Sequence, residues 1–242
     1  MVEDLIMEFM NKLCKSKIEW VRNPDGSQGY GCNPIKGKCL HSCDYCWAEQ
    51  MRLRYKQPEK MSWHPEELEK IGLLKTPSTV FVGTTYDIWG DWIDSDYKKD
   101  ILETIEVFHQ HTFLFLTKNP KDYSSINIPL MNCWLGVSET GKEFILDDFY
   151  EIIKPNHKFI SFEPLLKEID MEHVPINIDW IIIGALTKNS KAVQPEEGGT
   201  KIEWVLPLIK WANKWKVPVF LKNNLLKLYP SLTKRQEIGY FK

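Results

Sequence analysis

The sequence predicts an α/β fold: a partial (β/α)6-type barrel of mainly parallel strands, preceded by a short N-terminal helical extension. Three observations carry this. Short apolar runs recur along the chain, and they are continuous rather than alternating, as in strands buried on both faces. Segments of helical period lie between them, which is the rhythm of βα units. Eight such units take about 250 residues, so residues 28–242 hold about six or seven and the barrel is expected to be incomplete. A flat doubly wound sheet is the structural alternative. The expected organisation is an extension over 1–27 and the barrel domain over 28–242.

Each element follows from its residues. Over 2–14, Leu5, Ile6, Phe9, Met10 and Leu13 fall at helical spacing, so a short helix is expected there. Residues 22–38 are rich in Gly, Asn and Pro and read as loop with one short strand. Thr79–Gly83 is β-branched and aromatic, a strand. Residues 96–110 place Ile101, Ile105 and Phe108 on one helical face. Further strands are expected at Thr112–Thr117, Cys133–Ser138, Lys158–Phe162, Trp180–Ile183 and Val217–Leu221. Helices are expected at 143–153 and at 201–214, the latter with Trp204, Leu208 and Trp211 aligned.

Composition narrows the function. Hydrophobic residues make up 43% and charged residues 26% of the 242, an ordinary globular balance. A chain of this length needs neither disulfide nor metal merely to fold. The formal net charge of −2 argues against a strongly basic surface laid along a nucleic acid. No apolar run approaches the ~18 residues of a membrane span. Glu3, Asp4 and Glu8 interrupt what would be the basic and apolar regions of a signal peptide. The expected compartment is therefore the cytoplasm, where structural disulfides are rare.

The strongest chemical signal is Cys39-Leu40-His41-Ser42-Cys43-Asp44-Tyr45-Cys46. Its C-x3-C-x2-C spacing puts three thiolates on one tight loop, where they can ligate three irons of a 4Fe–4S cluster. The fourth iron then stays open to a small chelating molecule. Zinc is the competing reading, with His41 or Cys32 as fourth ligand, although zinc ligands more often come as two separated pairs. A disulfide is a third reading, disfavoured by compartment. Cys14 and Cys133 read as small buried apolar residues, and Cys32 as a bystander. Polar residues also follow the strands: Thr84, Thr85 and Asp87; Lys118; Glu139 after Ser138; Glu163; Lys222. The C-terminal ends of parallel strands are where α/β folds build their sites.

The C-x3-C-x-aromatic-C pattern resembles the signature of the radical SAM superfamily. The run Cys39 to Glu49, with Phe81–Asp87, Phe115–Pro120, Trp134–Ser138, Ser161–Leu165 and Asp179–Gly184, resembles more narrowly a bacterial, archaeal and phage family that carries a domain-of-unknown-function label. The resemblance runs from residue 17 to about 224. It departs at Trp47, where that family usually has Tyr, and at Lys38, an extra residue before Cys39. It implies a partial barrel with Cys39, Cys43 and Cys46 holding a 4Fe–4S cluster. S-adenosylmethionine (SAM) would chelate the open iron and be cleaved by one electron to a 5′-deoxyadenosyl radical, which abstracts hydrogen from a substrate. A flavodoxin- or ferredoxin-like reductant protein is implied as partner.

Within that resemblance Tyr45 packs near the cluster, with its backbone toward the adenine. Thr84, Thr85 and Asp87 are placed at the SAM ammonium, and Ser138 and Glu139 at its ribose or carboxylate. Glu163 is held in direction by Pro164. Lys118 and Lys222 would neutralise a carboxylate or a substrate anion, and with Glu163 they are the catalytic candidates. The resemblance leaves the substrate open among a small molecule, a nucleic acid and a protein. A lesion-repair enzyme resembling the spore photoproduct lyase branch is one alternative, and a non-catalytic Fe–S or zinc sensor or scaffold is another. Of the ten tryptophans most are expected in the core, with Trp89-Gly90-Asp91-Trp92 set apart as a lid or substrate-binding loop.

Overall fold

The structure, a computed structural model, describes residues 12–126, 131–143, 145–150 and 157–241. The chain forms two compact units. The first takes residues up to 42, 46–88 and 92–115; the second takes 43–45, 89–91 and 116–242.

The first unit contains β1 (Cys14–Lys15), β2 (Tyr30–Cys32), β3 (Ile35–Lys36), β4 (Ser62–Trp63), β5 (Thr79–Val82) and the start of β6 (Thr112–Thr117). β1 pairs antiparallel with β2, β2 parallel with β5, and β5 parallel with β6. β3 and β4 form a separate antiparallel ribbon. All four residues of β5 are buried, which is why the run is apolar without alternation. The helix expected over 2–14 falls mostly outside the described residues. At its end the chain is extended: Cys14 stands opposite Gly31 and Lys15 opposite Tyr30. Cys14 lies on this edge with its side chain exposed, which corrects its expected burial. The loop expected over 22–38 holds two short strands rather than one.

The helix expected at 96–110 runs from Ser95 to Val107. The Asp94 carboxylate accepts the Asp96 N–H at 2.9 Å and caps it. Ile101 and Ile105 face the core. Phe108 leaves helical geometry at φ −97°, ψ 45°, so the helix stops short of 110.

Just beyond, His111 is buried, and its Nδ1 accepts the Ser78 N–H at 3.2 Å. Burial lowers its pKa. A folded pKa below the unfolded value, about 6.5, means that the stability gained by the neutral ring is fully present above about pH 6.5. That stability is lost as pH falls through the folded pKa. The melting temperature should therefore fall more steeply between about pH 7.5 and pH 5 in the wild type than in His111→Asn. The Asn Oδ1 can accept the Ser78 N–H without titrating. Equal slopes would exclude His111 as the titrating group.

The second unit contains β7 (Cys133–Ser138), β8 (His157–Phe162), β9 (Trp180–Ile183), the hairpin β10 (Thr187–Lys188) and β11 (Lys191–Ala192), and β12 (Val219–Leu221). β7, β8, β9 and β12 are parallel neighbours in that order. Gly136 stands opposite Phe159, and a Cβ there would lie 2.2 Å from the Phe159 ring, so the ring occupies the space a side chain would need. Cys133 is buried, as its apolar reading expects. Within the expected 143–153 helix, Leu146–Tyr150 is helical and 151–153 lies outside the described residues. The helix Ile202–Trp215 buries Val205, Leu208, Trp211 and Ala212. Trp204 is only half-buried, with the Lys201 ammonium 5.4 Å from its ring centre.

The fold class is thus α/β with mainly parallel strands, as the sequence predicts. Trp20, Trp89 and Trp180 are core residues. Trp47 is not: it is 51% exposed. Trp89 corrects the expected lid. It packs edge-on against Tyr123 with ring centroids 5.1 Å apart, and its carbonyl accepts from the Asn119 side chain at 2.9 Å. Among the described residues no helix is long and apolar enough to cross a membrane.

Candidate functional site

In the first unit, Gly83 ends β5 with φ +79°, and a Cβ there would lie 2.8 Å from the Tyr86 carbonyl. That left-handed turn suits glycine and delivers residues 84–87 beside the end of β2. Asn33 Oδ1 accepts from Thr84 Oγ1 at 2.8 Å, Thr85 Oγ1 at 3.1 Å and Thr85 N–H at 3.1 Å. The Asp87 carboxylate meets His41 Nε2 at 2.8 Å. His41 also packs edge-on against Trp92, with centroids 4.9 Å apart. Burial raises the Cys39 pKa, opposed by the backbone N–H groups of Asp87 and His41. Cys46 caps the helix Trp47–Arg54, its Sγ accepting the Glu49 N–H at 3.4 Å.

In the second unit, the Tyr45 hydroxyl bonds the Cys43 sulfur, and burial pushes its pKa up. Lys118 lies with its ammonium 5.8 Å from the Tyr45 ring centre and 3.7 Å from a Glu143 carboxylate oxygen. Ser138 and Glu139 end β7 and are buried. Ser161, opposite Ser138 on β8, has a buried hydroxyl with no hydrogen-bond partner among the described residues. The Glu139 carboxylate accepts the Gly141 N–H at 2.7 Å. Burial raises its pKa, opposed by backbone N–H groups of Gly141, Ile145 and Thr140 and by Lys118.

Glu139 lines a cavity of about 180 Å³ with Glu143, Asp147, Glu168, Asp170 and His173. So acidic a wall repels a carboxylate. Glu163 and Lys222 form an ion pair. It lies against Gly184, where a Cβ would come within 3.0 Å of Lys222 Cδ and 3.1 Å of Glu163 Cγ.

All six cysteines are thiols rather than disulfides. Among the described residues no three His, Cys, Asp or Glu side chains are gathered so as to hold a bare metal ion. The donor chemistry nevertheless discriminates. Both suggested fourth zinc ligands are engaged: His41 on Asp87, and Cys32, fully buried, with its Sγ 3.4 Å from the Glu67 carbonyl. Three thiols without a fourth free donor among the described residues fit an iron–sulfur cluster better than a closed zinc site. The sequence offers His41 only as a zinc ligand and gives Asn33 no role. The partners of both side chains come from the turn after β5, distant in sequence.

The α/β fold is similar to that of solved structures of one enzyme. Spore photoproduct lyase in complex with dinucleoside spore photoproduct is similar at a TM-score of 0.51 and 11% identity, over 91% of this chain and 77% of that one. A double mutant of the same enzyme with bound AdoMet and dinucleoside spore photoproduct is similar at a TM-score of 0.50 and 11% identity, over 90% and 77%. At that identity the likeness is one of fold. No curated protein sequence matches. The chain belongs to the family described as "Protein of unknown function (DUF5131)", which matches residues 15–225.

Proposed function

We propose that this chain is a radical SAM enzyme that binds a 4Fe–4S cluster through Cys39, Cys43 and Cys46 and uses SAM to start hydrogen abstraction from a substrate. The observation that carries the reading is the C-x3-C-x2-C thiol run on a chain with the fold of spore photoproduct lyase. Together the cluster and SAM would supply reductive S–C cleavage and a 5′-deoxyadenosyl radical. The chain's own residues bind, orient and shield. Cys39, Cys43 and Cys46 hold the three irons. Thr84 and Thr85, braced by Asn33, present hydroxyls at the end of β5 for the SAM amino group. Ser138 and Ser161, whose hydroxyl has no partner among the described residues, lie toward the ends of β7 and β8, where Glu139 can accept from ribose hydroxyls. Lys118, its side chain only 10% exposed, supplies positive charge beside Tyr45. Lys222 and Glu163 hold each other ready to take a polar substrate group. A flavodoxin- or ferredoxin-like protein would deliver the electron.

Anaerobic reconstitution followed by SAM and dithionite tests the reading. The expected result is a cluster spectrum altered by SAM, with 5′-deoxyadenosine and methionine formed. Protein that holds only zinc, or a cluster indifferent to SAM, would overturn it and favour a sensor or scaffold.

A nucleic-acid substrate is the second reading, motivated by the dinucleoside photoproduct that both similar structures contain. Deuterium transfer from a labelled lesion-bearing dinucleotide into 5′-deoxyadenosine would support it. A label retained entirely by the dinucleotide would count against it.

A further inference from the structure

Within the cysteine run, His41 is tied to a distant residue rather than to a metal-ligand role. His41 lies two residues after Cys39, yet its ring does not turn toward solvent. Its Nε2 is 2.8 Å from Asp87 Oδ2, with the two side chains 21% and 9% exposed. The Trp92 ring closes its other side, edge-on, at 4.9 Å and an interplanar angle of 78°. A single residue after β5 therefore grips the loop by its side chain at His41, two residues beyond Cys39. The grip is rigid at its base, since Tyr86 and Ile88 on either side of Asp87 are both buried.

We propose that Asp87 is a positioning residue that docks the cysteine loop: by holding His41 it fixes neighbouring Cys39 for metal. This rests on reading Cys39 as a cluster ligand. A loop held before metal arrives loses less conformational freedom when a cluster binds. Asp87 is thereby drawn away from the SAM ammonium that the sequence suggested for it, leaving the Thr84 and Thr85 hydroxyls.

The test compares Asp87→Ala, Asp87→Asn, His41→Ala and the Asp87→Ala/His41→Ala double variant with the wild type. In metal-free protein, iodoacetamide should modify Cys39 at least several-fold faster in Asp87→Ala and in His41→Ala, while buried Cys32 and Cys133 stay protected and report an intact fold. Asp87→Asn keeps an acceptor for His41 and should stay close to wild type. The double variant should be no worse than either single one, since both break the same contact.

After anaerobic reconstitution, iron and sulfide per chain should fall at least two-fold in Asp87→Ala, and the electron paramagnetic resonance of the reduced cluster should change in what remains. Equal Cys39 alkylation in wild type and Asp87→Ala overturns the proposal, as does equal iron content with an identical resonance. If Asp87→Ala does not fold, His41→Ala and Asp87→Asn decide the matter in the same two measurements. A wild type that loads no cluster would sink the functional reading instead, and the alkylation comparison would still judge the grip.

Discussion

Alanine at Cys39, Cys43 or Cys46, each alone, is expected to eliminate SAM cleavage and to strip the reconstituted protein of its 4Fe–4S spectrum. The cause is stoichiometric. A cluster with one iron left open has three thiolate anchors, and losing any one leaves two irons without protein ligands. The same substitution at Cys32 or Cys133 should leave iron content unchanged. Both thiols are buried and burial drives their pKa values upward, so neither is poised as the thiolate a metal requires. Iron and sulfide analysis of the five variants, prepared without air, decides it. Retention of full iron by Cys43→Ala would place the metal elsewhere. Loss of iron in Cys32→Ala would restore Cys32 as a ligand.

The sheet was legible because its chemistry is local. β6, β7 and β9 have the limits the apolar runs give, since a strand buried on both faces needs a continuous apolar segment and ends where that segment ends. The two-residue strands escaped for the converse reason. Cys14–Lys15 and Ile35–Lys36 are too short to show periodicity, and only pairing with a remote segment makes them strands. Helix ends were set by capping and backbone geometry, at Asp94 and at Phe108, rather than by the apolar face. The cysteine run was legible because ligand spacing is written along the chain. What the loop leans on was not, because Asp87 reaches His41 across forty-six residues. Trp89 was misplaced by its Gly-Asp neighbours, which suggest an open loop, whereas its indole is fully enclosed and packs against Tyr123.

Trp180→Ala is expected to be the most damaging single change to stability. The side chain is 0% exposed. Its ring meets Phe159 and Tyr240 at centroid distances of 5.5 Å each, and its Nε1–H donates to the Glu237 carbonyl at 2.9 Å. Gly239 lies so close that a Cβ there would be 2.5 Å from Trp180 Cβ. Truncating a buried tryptophan costs about 3–5 kcal/mol, which for a chain of this size lowers the melting temperature by roughly 6–20 °C. Trp180→Phe keeps most of the apolar area but orphans the Glu237 carbonyl, and should cost about 1–3 kcal/mol. The larger change should also reach the site. The segment that Trp180 anchors contributes Glu237 to the Val219 N–H at 3.0 Å and the Arg235 carbonyl to the Leu221 N–H at 2.8 Å. β12 is therefore held by the same residues that cover Trp180, and Lys222 follows β12 directly. Releasing that segment should make residues 235–241 the first to be cut by protease and should weaken the hold of Lys222 on Glu163. Thermal melts and limited proteolysis measure the two effects independently. A shift of under about 2 °C in Trp180→Ala would mean that the aromatic cluster is not what fixes β12.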